Sequence, residues 1–89
     1  MGRRKYPPLT PSEVQAILIA RGFKLDRQDG SHYQYERAAT DTKPRCVVTL
    51  DVAYAEIDQS LIKIMIRQSK DSREEFYGAT SRTKKKLGG

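Results

Sequence analysis

His32 is the single histidine of an 89-residue chain, and it follows an Asp-Gly pair in the stretch "DRQDGSHYQY". A free imidazole changes charge near neutral pH, so it can take or give a proton under cellular conditions. Asp26, Lys24, Gln28 and Gln34 stand around it, with Arg27 and Ser31 at the turn. A carboxylate beside an imidazole orients the ring and stabilises its charged form, and cations beside it suit a phosphate. RNA supplies its own nucleophile, the 2′-hydroxyl. Strand scission then needs proton transfer and charge stabilisation, with no metal ion.

Other chemistries find little support. One histidine and one cysteine make no zinc constellation. There is no phosphate-cradling glycine loop, and no cofactor is expected. Asp51, Glu56 and Asp58 cluster loosely, but acidic residues near a helix start usually serve as caps. Ser31 adjoins His32, and adjacent strand residues point to opposite faces, which argues against a Ser-His-Asp arrangement. A lone histidine on a polar face is also the ordinary position of an idle surface residue. On pattern alone the idle reading stands ahead.

The elements that must position His32 can be read from the spacing. "LTPSEVQAILIARGF" predicts a helix with both ends marked. Thr10 is the N-cap, Pro11 the first helical residue, and Glu13 completes a capping box. Leu9 and Val14 form a hydrophobic staple, Val14, Ile17 and Leu18 an apolar stripe, and Gly22 the left-handed terminator. From Phe23 the period falls to two, which predicts a β-hairpin turning at "QDGS". A three-residue Gln28-Asp29-Gly30 loop pairs Phe23 with Tyr35 and Leu25 with Tyr33, and it puts Asp26 opposite His32 on the polar face. "RCVVTLDV" predicts a third strand with Cys46, Val48 and Leu50 inward. A second helix is expected from Asp58 to about Lys70, burying Ile62, Met65, Ile66 and Ser69, with Leu61 and Ile64 widening that stripe. "SREEFYG" predicts a short helical turn that docks Phe76. The expected class is α+β, in the order αβββα, with both helices on one face of a three-stranded antiparallel sheet and His32 on the open face.

The length suits one small domain, placed at residues 9–78, between a basic arm at 1–8 and a basic, disordered tail at 79–89. No stretch is long and apolar enough for a membrane span, and the single Cys46 makes reducing cytoplasm the expected compartment. The net charge is +6, yet residues 6–80 hold ten basic and eleven acidic side chains. The excess lies in Arg3, Arg4 and Lys5 and in Arg82, Lys84, Lys85 and Lys86. The body is nearly neutral, so the fold is not a broadly basic nucleic-acid platform.

"RGFKLDRQDGSHYQYER", preceded by a capped helix and followed by "VVTL" and "SLIKIMIRQS…SREEF", resembles the HicA family of bacterial toxins over residues 9–77. Its members share a Gly-Phe after the first helix and a Gly-Ser-His after the hairpin turn. The resemblance implies a fold like the double-stranded RNA-binding domain and an mRNA interferase, an endoribonuclease acting on mRNA. It implies that His32 is the key group, with Gly30 and Ser31 shaping its turn. It further implies a HicB-like antitoxin that covers His32, and no DNA contact by this chain itself. The chain reads "LDVAYAEI" where many members have Pro-x-His, "DQSL" where a Gly-Thr often opens helix two, and "SKDS" in place of a small-Gly-apolar step.

The leading expectation is therefore a metal-independent endoribonuclease with His32 as general acid or base, Asp26 orienting it, and Lys24 and Arg27 on phosphate. The alternatives are an RNA-binding module without catalysis, or a protein-interaction domain that presents its open sheet face.

Overall fold

The structure is a computed structural model that describes residues 5–88. Helix α1 (Pro11–Ala20) leads into strands β1 (Lys24–Asp29), β2 (His32–Arg37) and β3 (Cys46–Asp51). Helix α2 (Gln59–Ser69), the short helices α3 (Arg73–Tyr77) and α4 (Ser81–Lys84), and a 3-10 turn at Lys85–Leu87 complete the order. The α+β class and the αβββα core are as the spacing predicts.

Helix α1 carries both of its expected ends. The Thr10 hydroxyl accepts the Glu13 amide while the Glu13 carboxylate accepts the Thr10 amide, which closes the capping box. At the other end Gly22 takes φ +90°, and the amides of Gly22 and Phe23 donate to the carbonyls of Ile19 and Leu18. That pair of hydrogen bonds satisfies two carbonyls the helix leaves open, and only glycine reaches this conformation at no steric cost. Asp58 caps α2 by accepting the Leu61 amide at 3.1 Å.

The sheet is antiparallel throughout, in the order β1-β2-β3, so β2 is central. Tyr35, Cys46, Val48 and Leu50 share one buried core with Val14, Ile17 and Leu18 of α1 and Ile62 and Met65 of α2. Both helices therefore lie on one face of the sheet. Each fully buried Leu or Ile there contributes about 1.5–3 kcal/mol. The alternate residues of β2 and β3 point to the other face, which carries no helix.

The hairpin differs from the expected register. Asp29 pairs with His32, Gln28 with Tyr33 and Arg27 with Gln34, and the register then slips so that Leu25 pairs with Tyr35. The loop is the two-residue Gly30-Ser31, with Gly30 at φ +61° and Ser31 at negative φ. A glycine with positive φ at the first central position is the pattern of a type II′ turn, whose twist matches the flanking strands. Asp26 is the extra residue of a β-bulge, so it does not lie opposite His32. Matching apolar residues across the hairpin points to the wrong loop because it assumes an unbroken ladder, whereas the bulge brings Leu25 opposite Tyr35 with a two-residue loop. Leu25 there is 47% exposed.

The tail also departs from expectation, being helical where disorder was predicted. Thr83 is buried, and its hydroxyl donates to the Tyr77 carbonyl at 2.6 Å. Lys86 reaches the Glu13 carboxylate at 3.0 Å and the Pro8 carbonyl at 3.1 Å. Burial pushes the Glu13 carboxyl up, but the Thr10 amide and Lys86 outweigh it and hold the group below its ordinary value. On the N-terminal side Pro7 is buried and its carbonyl accepts the Tyr77 hydroxyl at 2.6 Å, while Leu9 and Ile57 form an isolated antiparallel bridge. Arg3 and Arg4 of the basic arm lie outside the described residues.

A candidate active site on the open sheet face

The register places functional side chains in rows across the open face, because directly opposed residues share a face. The first row is Asp29, His32 and Asp51, the second Arg27, Gln34 and Thr49, and the third Lys24, Glu36 and Val47. His32 opens the central strand, where hydrogen-bonded neighbours on both sides fix its backbone. Its imidazole is 62% exposed.

The carboxylate that meets it is Asp51, with Nε2 and Oδ2 3.5 Å apart. Asp51 is itself held. The Ala53 amide donates to it at 2.9 Å, and that bond, the Ser31 hydroxyl and the His32 charge hold its carboxyl below the usual range despite some burial. Asp51 is thus an anion at any pH where an imidazole titrates. Ser31 occupies the turn rather than the strand, so the alternation that separates neighbouring strand residues does not apply to it. Its hydroxyl reaches the Asp51 side, and its carbonyl accepts the Val52 amide at 2.9 Å.

The expected residues therefore divide. Gly30, Ser31 and His32 stand together at the hairpin turn. Asp26 sits in the bulge of β1, away from the His32 row, and Asp51 faces the imidazole in its place. Its place in a loose acidic cluster before a helix makes Asp51 look like a capping residue in the sequence. The signal for it lay in the phase of "CVVTLD", which turns Val47, Thr49 and Asp51 outward together. Arg27 occupies the row next to His32. Lys24 lies two rows along, roughly 13 Å away at the usual rise of a strand. Both are exposed, and Lys24 faces Glu36, whose carboxylate Arg45 already binds.

Beside the first row a cavity of about 220 Å³ opens between β3, the β3–α2 connection and α2. His32, Asp51, Thr49 and Tyr54 form its polar rim, over apolar side chains that include Ile57, Leu61 and Ile64. An exposed imidazole paired with a carboxylate at the mouth of a cavity can exchange protons with a bound molecule.

A family model described as the HicA toxin of bacterial toxin-antitoxin matches residues 11–70, from the start of α1 to just past α2. The chain belongs to the HicA toxin family. No curated protein matches it. As a HicA toxin it is one half of a toxin–antitoxin pair, and the family implies an antitoxin as its partner. Among the described residues no helix is long and apolar enough to cross a membrane. The match takes in Gly30, Ser31, His32 and Asp51 and ends one residue before Asp71.

Asp71 is the centre of a second cluster that sequence reasoning missed. Its side chain is fully buried, and Arg21, Arg37 and Lys43 reach it at 3.1, 3.2 and 2.6 Å. Arg37 also donates to the carbonyls of Ser69 and Arg21 and stacks on Phe23 with its guanidinium carbon 4.6 Å from the ring centroid. Burial pushes the Asp71 carboxyl up, but hydrogen bonds from Arg21, Lys43 and Arg37 bring it down to about 2. Every polar group here is satisfied within the fold. The "SKDS" departure thus supplies the anion that joins the C-terminal ends of α1, β2 and α2 to the connection before β3.

Proposed function

We propose that this HicA toxin is a metal-independent endoribonuclease that cuts mRNA, with His32 as its general acid or base. The observation that carries the reading is the exposed His32 imidazole, 3.5 Å from the Asp51 carboxylate. In the reaction the 2′-oxygen attacks phosphorus, the bond from phosphorus to the 5′-oxygen breaks, and one proton leaves the 2′-hydroxyl as another reaches the leaving oxygen. His32 carries one of those protons, and solvent carries the other. Asp51 orients the ring and stabilises it when charged. Arg27, in the adjacent row, neutralises the phosphate that reacts, and Lys24 holds one further along the strand. Gly30 and Ser31 fix the turn, and Asp26 contributes by the bulge that sets the phase of Lys24. A HicB-like antitoxin laid over the open face covers His32 and blocks substrate. The cytoplasm, where mRNA is translated, is the place of action.

The deciding experiment is cleavage of a defined mRNA by purified protein, with His32→Ala as the control and a chelator added in parallel. Wild-type protein should cut with or without chelator, and the folded variant should lose about 10²–10⁴-fold in rate. An equally active His32→Ala protein overturns the assignment. Salt-dependent RNA binding with no cleavage by wild type favours instead a binding module, for which the exposed Lys84 and Lys85 are suited.

A further inference from the structure

The cavity beside His32 has a composition that proton transfer does not require. Ile57, Leu61, Ile64, Leu50 and Met65 supply an aliphatic wall, and none of them can take part in acid–base chemistry. Four large hydrophobic side chains of the described residues are conspicuously exposed: Ile19, Leu25, Tyr54 and Ile64. Two of the four, Tyr54 and Ile64, line this one cavity, at 50% and 46% exposure. A half-exposed aromatic ring next to an aliphatic wall is a surface on which a flat ring can stack.

The rim has a complementary character. Asp51, Thr49 and Tyr54 present hydrogen-bonding groups around the apolar wall. β3 is an edge strand, and the Thr49 amide turns away from β2 to the Gln68 side chain at 3.2 Å. In an antiparallel ladder the N–H and C=O of one residue point the same way, so the Thr49 carbonyl also faces outward along this edge. A ring with an apolar face and polar edges matches both parts of the site. The aliphatic wall offers a phosphate or a charged side chain no partner.

We propose that this cavity is a nucleobase subsite, which stacks the unpaired base flanking the reacting phosphate against Tyr54 and Ile64 and so selects where the RNA is cut. The inference rests on the ribonuclease reading in its placement of that phosphate at His32. Tyr54 and Ile64 act on position and affinity, with the proton transfer left to His32.

Two measurements test it and separate it from the reading it rests on. In the first, wild-type protein is titrated with 2′-O-methylated tetranucleotides of each base, which cannot be cut because they lack the nucleophile, while the methyl resonances of Leu61, Ile64 and Met65 are followed by NMR. One or more of the four should shift these methyls, and Tyr54→Ala should weaken that binding by about tenfold. In the second, cleavage sites on a long RNA are mapped for wild type, Tyr54→Ala and Ile64→Ser, with the exposed Ile19→Ser as a control outside the cavity. The first two variants should raise KM and flatten the base preference at the cut, while the control should match wild type. Absence of methyl shifts with every oligonucleotide, or an unchanged map in both cavity variants, overturns the subsite. If wild type cuts no RNA but the methyls still shift with one base, the subsite stands and the catalytic reading fails.

Discussion

His32 and Asp51 meet across the β2–β3 ladder, with 3.5 Å between Nε2 and Oδ2, and so join the central strand to the edge of the sheet. Asp51 also accepts the Ala53 amide, so the chain just past β3 folds around the same carboxylate. Replacing Asp51 by Asn keeps an oxygen for that amide and removes only the charge. The Asp51→Asn protein should fold normally and cleave RNA about tenfold or more slowly, a smaller loss than at His32. Unchanged kcat would show that the pair has no part in catalysis. Asp26→Asn should leave the rate near wild type, since Asp26 does not face the imidazole.

Asp71 makes a prediction in pH. Its carboxyl sits at about 2 in the folded chain, against an ordinary 3.8, so folding favours the ionised form. The stability this supplies is fully present above about pH 4 and is lost as pH falls through 3.8 towards 2. The difference corresponds to about 2–3 kcal/mol. Urea midpoints measured from pH 5 to pH 2 should fall for wild type, and the fall should be shallower in Asp71→Asn. At neutral pH that variant should already be less stable by about 3 kcal/mol, because three cations lose their buried partner.

Gly30 is a conformational requirement and not a spatial one. A methyl group added there meets no atom within 4 Å, yet the backbone stands at φ +61°. Gly30→Ala should therefore cost about 1 kcal/mol or more through strain, because the first central position of a type II′ turn suits glycine alone. A thermal melt of the variant checks it. A melting point equal to wild type would remove the argument.

Thr83 tests whether the C-terminal segment belongs to the fold. Its buried hydroxyl holds the Tyr77 carbonyl, and Tyr77 in turn holds Pro7. Thr83→Val preserves the shape and leaves that carbonyl without this donor, at a cost of about 1–3 kcal/mol. Tm should drop by roughly 4–8 °C per kcal/mol lost. A melt identical to wild type would mean that this segment adds nothing to stability.

Helix α1 was legible because its signals are local: Thr10, Pro11, Glu13 and Gly22 state both ends within thirteen positions. The face of β3 was legible from alternation alone. The hairpin was misread for a physical reason. Apolar matching assumes an unbroken ladder, but the bulge at Asp26 absorbs one residue, so Leu25 comes opposite Tyr35 while the loop closes at Gly30-Ser31. The glycine of a type II′ turn was the competing signal. Asp71 was not legible, since its partners lie 28, 34 and 50 residues away in sequence. The orienting carboxylate was misassigned for a related reason. Asp26 is near His32 along the chain, whereas Asp51 is near it across the ladder.

The bulge at Asp26 has a consequence for how this gene tolerates insertions and deletions. β1 carries one residue more than the stretch of β2 it pairs with, so losing a single codon there would regularise the ladder instead of shortening a loop. Loss of Asp26 would keep Lys24 opposite Glu36 and Arg27 opposite Gln34, both on the open face, whereas loss of Gln28 would bring Arg27 opposite Tyr33 on the helix-covered side. A deletion scan along β1 should thus find that losing Asp26 spares the fold and both cations, while losing Gln28 spares the ladder and removes Arg27 from the open face. In this hairpin the place of a lost residue, more than the loss itself, decides whether the chemistry survives.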